Sequence, residues 1–327
     1  MILKALYAGL GSISDSWLSY LVTRDDVEIA GLIDLNQETA LKKKEKYNLS
    51  CPVFSDIETA LSNGSFDVLI DNIVPSGRLE LAEKALSNGL HVLSEKPLAS
   101  SMKEGLEINR LSRKYDRNFF VMQNRRYNTN MFTFRNAIIN GSAGKTGYLS
   151  AEFMLGPHFG GFREEMESPL LIDMAIHTFD QARFLLNCNP VSVYCHEYNP
   201  AGSWYKGNAS AVCVFEFENN IVFSYQGSWC ANGFNTSWDS SWRAIAENGS
   251  ILWDGTNLPV SDIPVEKIIC DFNGHKGCIN EMITCLHENR MASTSSFDNI
   301  YSLAMVFASI KSSKENKKIY IKELLED

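Results

Sequence analysis

From residue 2 to about residue 122, short apolar runs alternate with helix-patterned stretches, and nothing else in the chain restricts its fold so strongly. Strands are expected at 2–8, 27–33, 51–54, 66–70, 90–94 and 119–122. Helices are expected between them, among them one from Asp56 to Asn63 capped by Ser55, one from Arg78 to Ser87 and one from Ser101 to Tyr115. Such alternation is the pattern of βαβ units, whose crossovers build a parallel sheet covered on both faces. The expected class is therefore α/β, with a doubly wound parallel sheet of six strands.

The ends of these strands carry the chemistry. Gly9-Leu10-Gly11-Ser12-Ile13-Ser14 follows the first strand directly. Gly9 and Gly11 suit a tight turn and the close approach of a pyrophosphate, with Ser12 and Ile13 leading into the next helix. Ser14 stands where a third glycine is expected, a departure that a small side chain tolerates. The second strand ends at Asp34, close to the expected distance of about 20 residues past the glycines. A carboxylate there accepts hydrogen bonds from an adenosine ribose and repels a 2′-phosphate, which favours NAD over NADP. The competing assignment is that Asp34 only caps the following helix. Asp71 to Gly77, with Pro75 inside it, is expected as a loop at the same sheet edge.

Gly89 to Ala99 is the most informative stretch: an apolar strand ends in Glu95-Lys96-Pro97. That places an ammonium at the carboxyl edge of the sheet, where open α/β folds bind ligands. Pro97 stiffens the backbone around Lys96 and makes Lys96-Pro97 a candidate cis bond. The plainer alternative is that Glu95 and Lys96 are ordinary polar residues at a strand end.

Composition excludes several classes. A net charge of -9 argues against nucleic-acid partners, and no apolar run approaches a membrane span. The opening Met1-Ile2-Leu3 run flows into a glycine turn and suits a first strand better than a signal peptide. Eight scattered cysteines without a Cys-x-x-Cys pair read as reduced thiols in a cytoplasmic protein, with no metal site.

Beyond residue 122 the pattern changes. After a helix at 130–140 and a loop at 141–147, strands are expected from 148, at 190–198, 209–217, 221–229, 241–247, 250–253 and 318–321, with helices at 276–290 and 296–311. His158 lies on a glycine-flanked loop suited to closing over a substrate. The stretch 170–186 reads as one amphipathic helix that puts Asp173 and His177 on the same side. By spacing alone these two are equally a buried histidine satisfied by a carboxylate, a metal pair or a surface pair. No further ligands at metal spacing are evident. Four of the six tryptophans (229, 238, 242, 253) fall in this region; most suit core or subunit-interface filling, and one or two near Asn235 or Trp238 suit a sugar pocket.

Glycine turn, strand-end acid, Gly-x-His-Val-Leu-x-Glu-Lys-Pro-Leu-Ala and the later Asp-x-x-x-His together resemble the Gfo/Idh/MocA family of nicotinamide-dependent oxidoreductases, over nearly the whole chain. The resemblance implies an NAD(P)-binding Rossmann domain over 1–122 and a substrate-binding and oligomerisation domain over 123–327 built on a large, open, mostly antiparallel sheet. It implies homodimers or homotetramers through that sheet. It also implies Lys96, Asp173 and His177 as catalytic residues, Arg126 near the substrate, with a salt-bridged surface arginine as its competing assignment, and a polyol, sugar or cyclitol whose secondary alcohol exchanges a hydride with nicotinamide. Arg78 departs from the family, which usually has a histidine there. Two other activities are compatible with the resemblance: an NAD-using lyase or glycosidase, and a catalytically silent nucleotide-sensing regulator.

Overall fold

The computed structural model describes residues 2–140 and 143–326. It divides into two compact units, Met1–Asn124 with His275–Ile300, and Arg125–Gly274 with Tyr301–Asp327.

In the first unit, strands β1 (Leu3–Ala8), β2 (Val27–Ile33), β3 (Val53–Phe54), β4 (Val68–Asp71), β5 (His91–Ser94) and β6 (Phe119–Val121) form one sheet in the order β3-β2-β1-β4-β5-β6. All pairings are parallel. This is the six-strand doubly wound sheet expected, and its order reverses between β1 and β4, where such sheets bind ligands. Leu6, Tyr7, Leu69, Ile70, Val92 and Leu93 are buried because helices cover both faces, which is why the strands read as continuous apolar runs.

The covering helices are α1 (Ser14–Leu21), α2 (Gln37–Lys46), α3 (Ile57–Asn63), α4 (Arg78–Ser87) and α5 (Met102–Tyr115). Ser101 caps α5 through the Glu104 N–H. The cap of α3 corrects the sequence reading: the Asp56 carboxylate accepts the Thr59 N–H at 2.7 Å, and the Ser55 hydroxyl donates to that same carboxylate. A charged acceptor at a helix start is favoured over a neutral hydroxyl by the helix dipole.

At the carboxyl edge, Arg78 is fully buried and donates from Nε to Asp71 Oδ2 at 2.8 Å. Its remaining donors reach the Ile73 carbonyl at 3.1 Å and the Pro97 carbonyl. Asp71 also accepts the Ser94 hydroxyl at 2.9 Å and the Ile73 N–H at 3.1 Å. A single arginine thus ties the end of β4, the loop after it and the turn after β5. The Lys96-Pro97 bond in that turn is cis.

Residues 275–300 complete this unit from far along the chain. Asn280 accepts from Arg24 at 2.8 Å, and Phe120 bridges Ser295 while the Val121 N–H donates to the Thr294 carbonyl at 2.9 Å.

In the second unit the helix α6 (Thr129–Ile139) leads to β7 (Thr146–Met154). Of the loop expected at 141–147, Gly141 and Ser142 lie outside the described residues, and Thr146 and Gly147 already belong to β7. A short helix α7 (Phe162–Glu165) precedes a π-helical segment, Leu170–Ala175, which runs into α8 (Ile176–Leu186). Then come β8 (Pro190–Tyr198), β9 (Ser210–Phe217), β10 (Val222–Ser228), β11 (Ser241–Ala246), β12 (Gly249–Trp253) and β13 (Val260–Ser261). The helices α9 (Gly274–His287) and α10 (Ser296–Glu315), the strand β14 (Ile319–Tyr320) and α11 (Lys322–Leu325) end the chain. The eight strands order as β13-β12-β11-β7-β10-β9-β8-β14, and only β7 and β10 pair in parallel. The mostly antiparallel open sheet expected is therefore present. One face is buried, by Phe215, Phe223, Trp242 and Trp253 among others, and α8 packs there through Phe179 against Phe215 at 4.9 Å between ring centroids. Among the described residues no helix is long and apolar enough to cross a membrane.

Glu197 on β8 brings a carboxyl into this mostly apolar side. It is 6 % exposed, and burial pushes its carboxyl up to about 7, opposed by the Ser168 hydroxyl and the Lys314 charge. A carboxyl whose value rises on folding contributes its stability at low pH and loses it as pH climbs from the unfolded value near ~4.3 through 7. The Glu197→Gln variant is therefore expected to match the wild type near pH 4.5 and to exceed it by about 3 kcal/mol at pH 8. Urea unfolding at the two pH values checks this, and an equal difference at both would contradict it.

Candidate active site

The glycine turn opens the site in the first unit. Gly9 adopts φ +86, and a Cβ there would lie 2.6 Å from the Asn72 carbonyl carbon, so both backbone shape and space demand glycine. Gly11 differs: a Cβ there would meet no protein atom within 4 Å. Its bareness answers to no packing need of the chain, as expected where a ligand comes against the backbone. Ser14, standing for the third glycine, is fully buried and donates from Oγ to the Gly11 carbonyl at 2.6 Å, so the hydroxyl closes the turn. Ser12 and Ile13 are exposed just before α1, whose first residue lacks a side-chain cap.

Asp34 sits past the end of β2. Its Oδ2 accepts the Leu10 N–H at 2.7 Å and its Oδ1 the Asn36 N–H at 2.8 Å, while Asn36 caps α2. The carboxylate thus braces the glycine turn itself. Pro75 begins a single 3-10 turn, Pro75–Gly77, in the loop after β4.

Glu95 and Lys96 follow β5. The Glu95 carboxylate is buried and accepts the Trp17 indole N–H at 2.7 Å and the Lys96 N–H at 3.1 Å, with His275 Nε2 at 3.6 Å. Burial pushes this carboxyl up more than any other single influence, but hydrogen bonds from His275 and Trp17 and the charges of His275 and Lys96 together hold it below the usual value. Glu95 is therefore an anionic anchor inside the unit, and Lys96, half-buried, projects from a backbone held on both sides.

The second unit carries the other candidates. Asp173 lies in the π-helical segment and His177 in the first turn of α8, so the single α-helix expected over 170–186 is not what forms. A π-turn inserts a residue into a helix, and such insertions recur at functional sites. His177 is 7 % exposed, and Asp173 accepts Arg163 Nε at 2.6 Å. His158, exposed on its loop, stacks on Trp204 at 3.8 Å between ring centroids.

Arg126, expected near substrate, is buried and donates from Nε and Nη2 to Asp180, both at 2.6 Å. Asp180 also accepts the Ser302 hydroxyl at 2.8 Å. The arginine beside it was not singled out from sequence. Arg125 lies 3.4 Å from Asp239 and 3.7 Å from the Met174 sulfur, with its guanidinium 6.0 Å from the Trp238 ring. Trp17, Arg163, Asp239 and His275 were also missed, whereas Trp238, named from its tryptophan-rich region, lies in the turn between β10 and β11.

Comparison with known proteins agrees with this architecture. Residues 3–123 match the oxidoreductase family described as an NAD-binding Rossmann fold, and residues 133–252 match the GFO/IDH/MocA C-terminal domain. A D-glucoside 3-dehydrogenase from Escherichia coli is 27 % identical over 70 % of this chain and 71 % of its own. A myo-inositol 2-dehydrogenase from Thermotoga maritima is 24 % identical over 54 % of this chain and 53 % of its own. In fold, the chain superposes on an oxidoreductase from Agrobacterium radiobacter, solved with NAD+, L-tartaric acid and magnesium, with a TM-score of 0.88 at 18 % identity, over 99 % of this chain and all of that one. With both of its domains matched, the chain belongs to the Gfo/Idh/MocA family of NAD-binding oxidoreductases.

Proposed function

We propose that the protein is an NAD-dependent dehydrogenase that oxidises a secondary alcohol of a sugar, sugar derivative or cyclitol. The observation that carries this reading is Lys96, an ammonium at the carboxyl edge of an NAD-binding sheet on a backbone anchored by buried Glu95 and Arg78. Dehydrogenation of sugars or cyclitols by the two relatives supports the substrate class.

The chemistry NAD would supply when bound is a hydride acceptor for the carbinol carbon. Gly9, Gly11, Ser12, Ile13, Asp34 and Pro75 would hold NAD: the open backbone at Gly11 and the uncapped start of α1 suit its pyrophosphate, and Asp34 suits its ribose. Lys96 holds the reacting oxygen and stabilises negative charge as it develops there. His177 accepts the hydroxyl proton directly or passes it on from Lys96, since an imidazole exchanges protons near neutral pH. Asp173 orients this chemistry or binds a substrate hydroxyl, with Arg163 fixing its carboxylate. Arg126, held by Asp180, is a rigid group for the substrate end of the second unit, and His158 on its loop covers the substrate.

The Lys96→Met and His177→Ala variants are expected to bind NAD with wild-type affinity while losing at least about a hundredfold in kcat, the scale of general acid–base catalysis. A panel of sugars and polyols followed by NADH absorbance, with NAD binding measured separately, checks both; full turnover in both variants would overturn the roles. Release of one NADH per substrate separates dehydrogenation from a lyase or glycosidase that only borrows NAD. Removing the carboxylate in Asp34→Ser is expected to raise the NADP-to-NAD ratio of kcat/KM by about tenfold or more. An unchanged ratio would mean that Asp34 acts only on the glycine turn.

The outward face of the second unit's sheet exposes Tyr194, Val212, Val214, Ile245 and Leu252. So much apolar surface on adjacent strands suits a contact between copies of this chain, in a homodimer or homotetramer. Light scattering on the purified protein is expected to give two or four chain masses, and a one-chain mass at micromolar concentration would exclude this.

A further inference from the structure

Two arginines stand side by side in the second unit, and only one is saturated. Arg126 meets Asp180 in a bidentate pair with both contacts at 2.6 Å, 4 % and 0 % exposed. The Arg125–Asp239 pair is of another kind. Its single contact is 3.4 Å long, the side chains are 16 % and 24 % exposed, and the other polar side chains reaching Asp239 are Asn128, at 3.5 Å from its second oxygen, and Gln181. Burial pushes the Arg125 guanidinium down and the Asp239 carboxyl up, each opposed by the charge of the other. Both ions have therefore given up much of their water without closing into the short geometry that offsets such a loss.

We propose that Arg125 and Asp239 form a diol clamp that selects neutral substrates carrying hydroxyls on adjacent carbons. This rests on the sugar or cyclitol dehydrogenase reading and deepens it. Each hydroxyl both donates and accepts, so one hydroxyl of the pair donates to Asp239 while its neighbour accepts from Arg125. A carboxylate only accepts. It would also face Asp239 and Asp173, and the two arginines there, Arg125 and Arg163, are already matched by these two aspartates, so no cationic excess remains for an anion. Asp173 is close enough for its charge to act on Arg125, which joins the clamp to the proposed catalytic residues of this unit. Beside the clamp, Trp238 is 45 % exposed and Phe159, 6.3 Å from it between centroids, is 52 % exposed. An uncovered indole next to a desolvated ion pair meets both aspects of a sugar ring, its apolar C–H face and its hydroxyl edge.

The test uses the full chain with saturating NAD and compares methyl β-D-glucopyranoside, its monodeoxy analogues and methyl β-D-glucuronide. NADH formation reports turnover, and tryptophan emission reports binding, with Trp238→Phe as the control that removes the signal. The wild type is expected to prefer the glucoside over the glucuronide and to lose about 10- to 100-fold in kcat/KM with one monodeoxy analogue, the scale of an unpaired buried polar partner. In Asp239→Asn and Arg125→Lys the parent glucoside is expected to fall to the level of that analogue, which itself changes little. A pair that only braces the fold would lower parent and analogue alike, and that result, or preference for the glucuronide, would overturn the clamp while leaving the dehydrogenase reading intact. Saturable binding lost in Asp239→Asn but without NADH formation in the wild type would support the clamp and sink the dehydrogenase reading. Neither binding nor turnover with any of these sugars would overturn both.

Discussion

The pairing of Arg78 with Asp71 holds the working edge of the nucleotide-binding sheet together. Both side chains are about 1 % exposed, and an ion pair so deeply buried is tolerable only when its remaining hydrogen-bonding capacity is met. Here it is met by Ser94, by the backbone of Ile73 and by the Pro97 carbonyl. Three separate chain segments converge on one guanidinium, so the turn bearing Lys96 inherits the rigidity of the sheet. The family's histidine at this position has fewer donors than a guanidinium, and a single imidazole does not reach this many partners.

Glu95 performs the complementary task from the other side of Lys96. Trp17 comes from the helix that follows the glycine turn, and His275 from a helix more than a hundred residues downstream. Trp17 donates its indole N–H to one carboxylate and His275 lies 3.6 Å from it, and together with Lys96 they hold that carboxyl below its usual value despite its burial. The ammonium next to it is thus electrostatically matched within the same unit. Placing a functional group on a framework whose own rotamers are locked is the general way to keep a site preorganised.

Much of this was readable from the amino acids, for reasons that also explain what was not. Period-2 and uninterrupted apolar runs, glycine turns and strand-end acids are local signals, so the six parallel strands, the start of α5 and the tight turn at Gly9 could be read directly. Ser55 and Asp56 both offer capping oxygens, and choosing between them needs the electrostatics of the formed helix. The π-segment before His177 holds no glycine or proline within Leu170–Ala175, so nothing in that run distinguishes it from an α-helix. Arg125 and Arg126 are neighbours of identical chemistry; what separates them is which aspartate each meets, Asp239 or Asp180, more than fifty residues away in either case. His275 had no signal at all, because nothing within its helix distinguishes it from any other histidine.

The return of residues 275–300 to the first unit also bears on how the protein is made. Phe120 and Val121 gain their backbone partners from Ser295 and Thr294, and Arg24 its amide partner from Asn280. A nascent chain emerging from the ribosome therefore presents the nucleotide-binding sheet with one flank unfinished until residues 275–300 have been made. Domains usually fold as units from the amino terminus onward. This unit instead waits, with the edge strand β6 uncovered, so the interval of synthesis is when the protein is most exposed to edge-to-edge aggregation and to chaperone capture.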